Sequence, residues 1–442
     1  MTLSDWRKYV YKMQPDIVFA LTDTPFTSPP YSQKRITKSI ERSATWVADI
    51  LRPLPGDARS SEPHTPRLSQ HPLNVFVHMA GGTSLPAREA FAHGLRETLH
   101  GPDADAVKPL RCLDEGFTGY TFDLVVLRGI KPSPNTSQHQ SLPDGFLRLD
   151  CPEMLQRPEP IVEVPTPSTT GGVNLTASSV LSVAEPSVPP DLVSLLKASL
   201  GELSEQKPRL VTGVRSPHEM LRLIRDVGVD LFDVGWVTTA ANLGIALDFV
   251  FPVPVSGIVG TRQALGHNLY GHIYAHQFGR LADTFVGAEE SVDGVATQRA
   301  VCPCIACSPR SPSSPILHSA VDQQSYATTD GGAIVRYEKP YSRAYIHHLL
   351  HTHEMSAHTL LVAHNLAVIS AFLAGVRQVW VETEDERRSV QFAVEVERFI
   401  RAYDESGELF TAAKNDWEYV DRARGKGRLA RERVKQEDDQ DG

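Results

Sequence analysis

Six consecutive residues, Cys302-Pro-Cys-Ile-Ala-Cys307, hold three of the chain's five cysteines. That crowding restricts the fold more than any other feature. A disulfide framework fits poorly: Cys112 and Cys151 stand alone, the total is odd, and bridges between such close neighbours are strained. The opening residues, MTLSDWRKYVYKM, lead into a strand-like run, so no secretory leader is expected. Nor does any segment reach the roughly eighteen uninterrupted apolar residues that suggest a membrane span. The expectation is an intracellular chain whose thiols stay reduced.

Clustered thiolates suit a soft, tetrahedral ion, and zinc in a structural site takes four Cys or His ligands. The C-x-C-x-x-C spacing lets one short loop fill three corners. The fourth must come from elsewhere. The stretch KPYSRAYIHHLLHTHEMSAHTLLVAHNLAVISAFLAG holds His347, His348, His351, His353, His358 and His364. No Gly or Pro interrupts residues 342–373, and apolar residues recur at Ile346, Leu349, Leu350, Leu360 and Leu361, which predicts one or two helices. Spacing alone does not choose among the histidines. His364 stands out for its neighbours Leu361, Val362, Ala363 and Leu366, where a zinc-bound neutral imidazole is more at home than a free polar ring. A core histidine bonded to a backbone carbonyl is the alternative.

The rest of the chain reads as an α/β body with additions. Its 442 residues, 41% hydrophobic, can bury a large core. Segments near 52–72, 131–190 and 308–340 are rich in Pro, Ser and Thr and read as low-complexity insertions, and residues 422–442 as a charged tail beyond a folded region 1–421. Strand patterns at 16–21, 74–79, 120–127, 209–212 and 231–233 alternate with helix patterns at 33–50, 87–99 and 217–226. Apolar strands each followed by a helix imply a parallel sheet covered on both faces. A (β/α)8 TIM-type barrel is the expected closure, with an open doubly wound sheet as the alternative. No glycine-rich phosphate loop is present in the sequence. Two carboxylates, Asp23 and Asp233, end strands where such barrels keep their chemistry. An Asp there is also a common cap or turn residue.

CPCIAC followed by YSRAYIHHLLHTHEMSAHTLLVAHN resembles the metal-binding signature of the tRNA-guanine transglycosylases. The resemblance implies that Cys302, Cys304, Cys307 and His364 hold one zinc ion per chain, in a subdomain near the C-terminus, with the 308–340 insertion between cysteines and helix. It also matches Asp233, in GVDLFD, to the nucleophile that attacks the ribose C1′ of the wobble guanosine, and Asp23, in ALTDTPF, to an Asp that bonds the incoming purine. A carboxylate suits the first task because it can form and release a glycosyl intermediate.

Other positions depart from the family's pattern. Val234-Gly-Trp-Val-Thr-Thr-Ala240 replaces a Pro-Thr-Arg run that grips tRNA, and Ala80 in VHMAGG replaces a glutamine that reads the purine. Leaving purine groups unpaired costs about 1–3 kcal/mol. Phe122 and Asp123 take the place of small residues and would crowd a flat base. The likeness starts, at the first residues here, at what is an internal strand in complete members, which implies that the initial barrel strands and the general base are missing.

With a degenerate pocket and an intact metal motif, the chain resembles the non-catalytic branch of the family. That implies no catalytic or substrate-binding residue of its own, a heterodimer with a catalytic queuine tRNA-ribosyltransferase subunit, and tRNA reached through the complex. It implies a cytoplasmic protein, peripheral to the mitochondrial outer membrane. The net charge of −9 argues against a surface that binds phosphates everywhere. Local basic patches remain at Lys34, Arg35, Lys38 and Arg42 and along 422–435. Phe392, Val396, Phe399 and Tyr403 fall on one helical face expected to be core. A self-sufficient transglycosylase using Asp233 and a zinc-stabilised tRNA-binding scaffold are the competing functions.

Overall fold

The computed structural model describes residues 2–24, 31–52, 73–128, 192–254, 262–284, 291–292, 295–296, 302–309, 339–383 and 385–438. The insertions expected near 52–72, 131–190 and 308–340 lie almost wholly outside these residues.

A helix absent from the sequence expectations comes first. In α1 (Leu3–Met13), the Thr2 side chain accepts from the Asp5 N–H while the Asp5 carboxylate accepts from the Thr2 N–H, satisfying two orphan donors at once. The helix leans on α2 (Gln33–Leu51), where the Tyr11 hydroxyl donates to the Ile50 carbonyl at 3.2 Å. Between them runs β1 (Ile17–Phe19). There follow β2 (Asn74–His78), α3 (Leu85–Arg96), α4 (Gly101–Val107), β3 (Gly119–Asp123), α5 (Leu124–Leu127), α6 (Leu192–Leu200), β4 (Arg209–Thr212), α7 (Pro217–Val227) and β5 (Leu231–Phe232). The strand predicted over 120–127 ends at Asp123 because that carboxylate accepts from the Val125 N–H at 2.8 Å and caps α5.

Strands β1 to β5 form one parallel sheet whose spatial order is their sequence order, with Val18 beside Val75, Val77 beside Tyr120, Val211 beside Phe122 and Phe232 beside Val211. Such winding has no reversal, which removes the doubly wound alternative, since that fold needs a switch point. It is the winding of a barrel wall. The expected (β/α)8 closure is nevertheless not found among the described residues: the five strands make an open sheet.

The cause lies in the next strand. After α8 (Gly235–Asn242), β6 (Ile245–Leu247) pairs antiparallel with β7 (Gly266–Asn268). On its other edge the Asn365 side chain accepts from the Leu247 N–H at 2.9 Å and donates to the Ile245 carbonyl at 3.0 Å. A side-chain amide thus occupies the backbone groups that a sixth parallel strand would need. A short hairpin, β8 (Ser291–Val292) and β9 (Val295–Ala296), stands apart from both sheets.

The asparagine comes from the C-terminal helices α9 (Arg343–His351), α10 (Met355–Glu382), α11 (Arg388–Ala402) and α12 (Glu408–Asp438). By length and composition the 28-residue α10 could cross a membrane, yet it buries Leu361, His364, Asn365, Val368 and Phe372 against the protein. Its polar residues are bonded to β6, which marks a core helix. Gly375 lets it pass hard against the chain after β6: a Cβ there would lie 1.7 Å from the Phe251 carbonyl oxygen. Phe392, Val396, Phe399 and Tyr403 are all buried, as the face pattern predicts. Helix α12 carries the backbone of the charged stretch expected over 422–442 as far as residue 438.

Candidate metal centre

The short loop 302–309 folds on itself. Ser308 donates from its N–H to the Cys304 carbonyl at 2.8 Å and from its hydroxyl to the Cys302 carbonyl at 2.9 Å. The Cys307 N–H points at the Cys304 sulfur, 3.2 Å away. These bonds turn three thiols inward, and all three are buried. Facing them is His364 on α10, wholly buried, with Nδ1 at 3.6 Å from each of the three Sγ atoms.

That distance tests the fit to an ion. Bonds of about 2.3 Å to sulfur and about 2.0–2.1 Å to nitrogen, meeting at the tetrahedral angle, separate S from N by about 3.6 Å. The four ligand atoms therefore sit at the corners a zinc-sized ion requires, all within 4.8 Å of one another. The ring is also held in orientation: the His364 Nε2 donates to the Leu247 carbonyl at 2.9 Å, which leaves the Nδ1 lone pair facing the sulfurs. Four protein ligands and complete burial describe a closed, structural site with no open position for a substrate.

Hydrogen bonds from Cys302 and Cys304 hold the Cys307 thiol far below its ordinary value, while contacts with Cys304 and Cys307 and burial raise Cys302. The other candidate histidines do different work. His347 donates to the Leu269 carbonyl at 2.8 Å, His351 to the Tyr270 carbonyl at 3.2 Å and His358 to the Ala241 carbonyl at 3.4 Å, so they tie α9 and α10 to neighbouring backbone. His353 occupies the turn between those helices at φ 59°, and His348 is exposed on α9.

A second cluster, Asp248, His267 and Asp283, has donor atoms close enough for an ion. Arg343 already fills that place. Its Nη2 lies 2.7 Å from both His267 Nε2 and Asp283 Oδ2. Burial pushes the Asp248 carboxyl up, but bonds from His267, the Thr284 hydroxyl and the Asp283 and Thr284 N–H groups outweigh it and hold the group below its usual range. This brace locks the start of α9 against β6 and β7.

The two carboxylates singled out in the sequence are not brought together. Asp23 ends β1 in a cleft lined by residues from the carboxyl ends of β1, β2 and β3, and Asp233 is not among the lining groups. Arg35 grips Asp23 with both terminal nitrogens, at 2.7 and 2.8 Å, and Arg42 adds a third contact at 3.2 Å. The Arg35 bond in particular holds the Asp23 carboxyl below the usual range. Half of the basic patch expected on α2 is thereby spent on one acid. Asp233 accepts from the Gly213 N–H at 3.2 and 3.3 Å, a turn-stabilising contact between β4 and β5. Phe122, expected to crowd the cleft, instead points into the core at 1% exposure, leaving Asp123 and Ala80 on the lining.

Against known proteins, the Queuine tRNA-ribosyltransferase family model matches residues 170–393, just over half of the 442-residue chain and the span that contains all four metal-site residues. The chain belongs to the queuine tRNA-ribosyltransferase family. Among curated members, the queuine tRNA-ribosyltransferase accessory subunit 2 of Xenopus laevis is 30% identical over 189 residues, covering 42% of this chain and 40% of the relative. The Homo sapiens accessory subunit 2 is 28% identical over 190 residues, covering 42% and 39%. The queuine tRNA-ribosyltransferase of Gloeobacter violaceus is 28% identical over 197 residues, covering 45% and 36%. The chain spans about two fifths of the length of the curated relatives it matches. The family match leaves out residues 1–169, where the sequence resemblance had been drawn at the ALTDTPF stretch.

Two residues that matter to the metal centre were not assigned from the sequence. Asn365 follows His364 directly, and the His-Asn pair was the available signal: one residue faces the sulfurs while both hold β6. Arg343 stands in SRAYIHHL, but nothing in that string announces the distant acids it meets.

Proposed function

We propose that this chain is the non-catalytic subunit of a two-subunit queuine tRNA-ribosyltransferase, in which it supports exchange of guanine for queuine at the wobble position of tRNAs with GUN anticodons. The observation that carries this reading is the state of the two carboxylates. Asp23 is clamped by two arginines, and Asp233 is engaged by the Gly213 N–H away from the cleft, so neither is disposed toward a ribose or a purine. The Cys302, Cys304, Cys307 and His364 set fits one zinc ion. When bound, that ion supplies rigidity through a closed four-ligand shell and no activated water.

In this reading the chain's own residues act by shape. The sulfur loop, His364 and Asn365 fix β6 against α10, and the Arg343 brace fixes α9. The partner is a catalytic relative, and tRNA is engaged by the pair. We assign it to the cytoplasm, where thiols remain reduced.

Co-expression with a catalytic relative tests the proposal, with guanine exchange into tRNA measured for the pair and for each chain alone. The expected result is exchange by the pair, none by this chain alone, and unchanged exchange when the pair carries Asp233→Ala here. Exchange by this chain alone that disappears in Asp233→Ala would overturn it.

A further inference from the structure

Three histidines that serve neither the metal centre nor the Arg343 brace meet beside β7. His347 and His351 stand one turn apart on α9, with ring centres 4.2 Å apart. His272 opens the short 3-10 turn His272–Tyr274 that follows β7. Its ring centre lies 6.2 Å from that of His351, stacked at 29°, and 6.3 Å from that of His347. No choice of one nitrogen from each ring brings all three within 4.8 Å, so the trio is not laid out for an ion. What it does is line one seam between α9 and the segment 269–272.

Hydrogen bonds suit these rings to the neutral state. His347 donates from Nδ1 to the Leu269 carbonyl at 2.8 Å and His351 from Nε2 to the Tyr270 carbonyl at 3.2 Å, so each spends one nitrogen and keeps a lone pair on the other. His272 is exposed. Among the described residues no carboxylate bonds any of the three. The charges on the surrounding elements are engaged elsewhere. On α9, Arg343 pairs with Asp283, and His348 is exposed. His353 and exposed Glu354 lie in the turn to α10. From α12, Asp421 acts on Tyr270 and His353, Arg424 acts on His353, and Asp416 accepts from the Asn268 side chain. On the 272–276 side, Tyr274 bonds His267, and His276 is exposed. A proton added to the trio therefore places charge against two further imidazoles with no bonded acid to offset it.

Burial pushes His347 below the ordinary imidazole value, and the charges of His351, His272 and His348 add to it, against the raising effect of the Leu269 bond. The neutral ring is thus the favoured form in the folded chain. Its contribution to stability is complete above the unfolded value of about 6.5 and is lost as pH falls through the lower folded value. We propose that this seam is an acid-released latch, in which neutral His272, His347 and His351 hold α9 to the segment 269–272 and proton uptake by the cluster frees the helix. While α9 stays docked, a proton on one ring opposes a proton on the next; undocking separates the rings and removes that opposition. The undocked form therefore binds more protons, and mild acid drives release. The latch does not rest on the subunit role proposed above.

Hydrogen exchange of the full chain, read by mass spectrometry from about pH 7.5 to about pH 5.5 and expressed as protection relative to the intrinsic rate, provides the test. Protection of residues 346–351 is expected to fall about tenfold per pH unit for each extra proton the undocked form binds, while β2 to β4 keep theirs. His272→Ala removes an exposed ring, so α9 protection at the neutral end should match the parent chain and the loss in acid should become shallower. His347→Asn retains a donor for the Leu269 carbonyl but cannot titrate, and should flatten the response further. If His347→Asn does not fold, His272→Ala decides alone. Metal content is measured in every sample. Protection of 346–351 that does not fall in the parent chain would overturn the proposal. So would a fall of equal size in His272→Ala, which would assign the acid response to the sulfur cluster instead.

Discussion

At the scale of single residues, His364 and Asn365 divide one task. His364→Ala removes a ligand and the bond to the Leu247 carbonyl together. We expect purified His364→Ala to lose metal affinity by at least ~10-fold, the lower end of what even outer-shell changes cost, as read by elemental analysis after dialysis. Asn365→Ala keeps the four ligands but strands the Leu247 N–H and the Ile245 carbonyl inside the protein. At about 1–3 kcal/mol per orphaned group, chemical denaturation should show a loss of about 2–6 kcal/mol with metal still bound. Asp23 makes a pH-dependent prediction. Its carboxyl is held low by Arg35, so its stabilising effect is complete above the unfolded value of about 3.9 and disappears as pH falls through the lower folded value. Asp23→Asn should therefore lower Tm at neutral pH and match the parent chain near pH 2. The crowding of Cys302, Cys304 and Cys307 was legible because three thiols in six residues stand out in any sequence, whereas the choice of His364 among six histidines leaned on its apolar neighbours and on the resemblance. The arginine clamp on Asp23 was not legible, since Arg35 and Arg42 read equally well as a solvated basic face.

Among elements, α10 and β6 decide the architecture. Helix α10 also passes hard against the chain after β6 at Gly375, and Gly375→Ala would push a methyl group into the Phe251 carbonyl. No rotamer relieves a backbone contact, so a loss of about 3 kcal/mol, the upper end of overpacking costs, is expected in denaturant unfolding. Strands β1, β2 and β4 and helices α2, α3 and α7 were visible in the sequence, because apolar runs and start signals such as Ser32 and Ser216 act locally. The end of β3 was misplaced, as Leu124–Leu127 is apolar enough for either state and one Asp123 side-chain bond settles it. Helix α1 escaped notice because its apolar residues Trp6, Val10 and Tyr11 are only partly buried against the core and are interleaved with Arg7, Lys8 and Tyr9. The antiparallel turn of β6 could not be read at all: the amide that occupies its edge lies 118 residues downstream of Leu247.

For the molecule as a whole, two bodies of structure depend on different forces. The β1–β5 sheet is held by backbone pairing and apolar burial, whereas β6, α9 and α10 converge on the sulfur cluster. Stripping metal with a strong chelator should therefore abolish hydrogen-exchange protection in β6 and the middle of α10 first, while β2 to β4 keep theirs. Uniform loss across both regions would show that the ion stabilises the chain globally. The cluster ties residue 302 to residue 364, 62 positions apart in sequence. A cross-link over so long a span excludes many expanded conformations of the unfolded chain and tolerates extra residues between its ends, because each doubling of a loop adds only about 0.6 kcal/mol. With an ion in place, folding of the 302–364 span would then draw on metal concentration, so the stability of this region would rise with the free metal available.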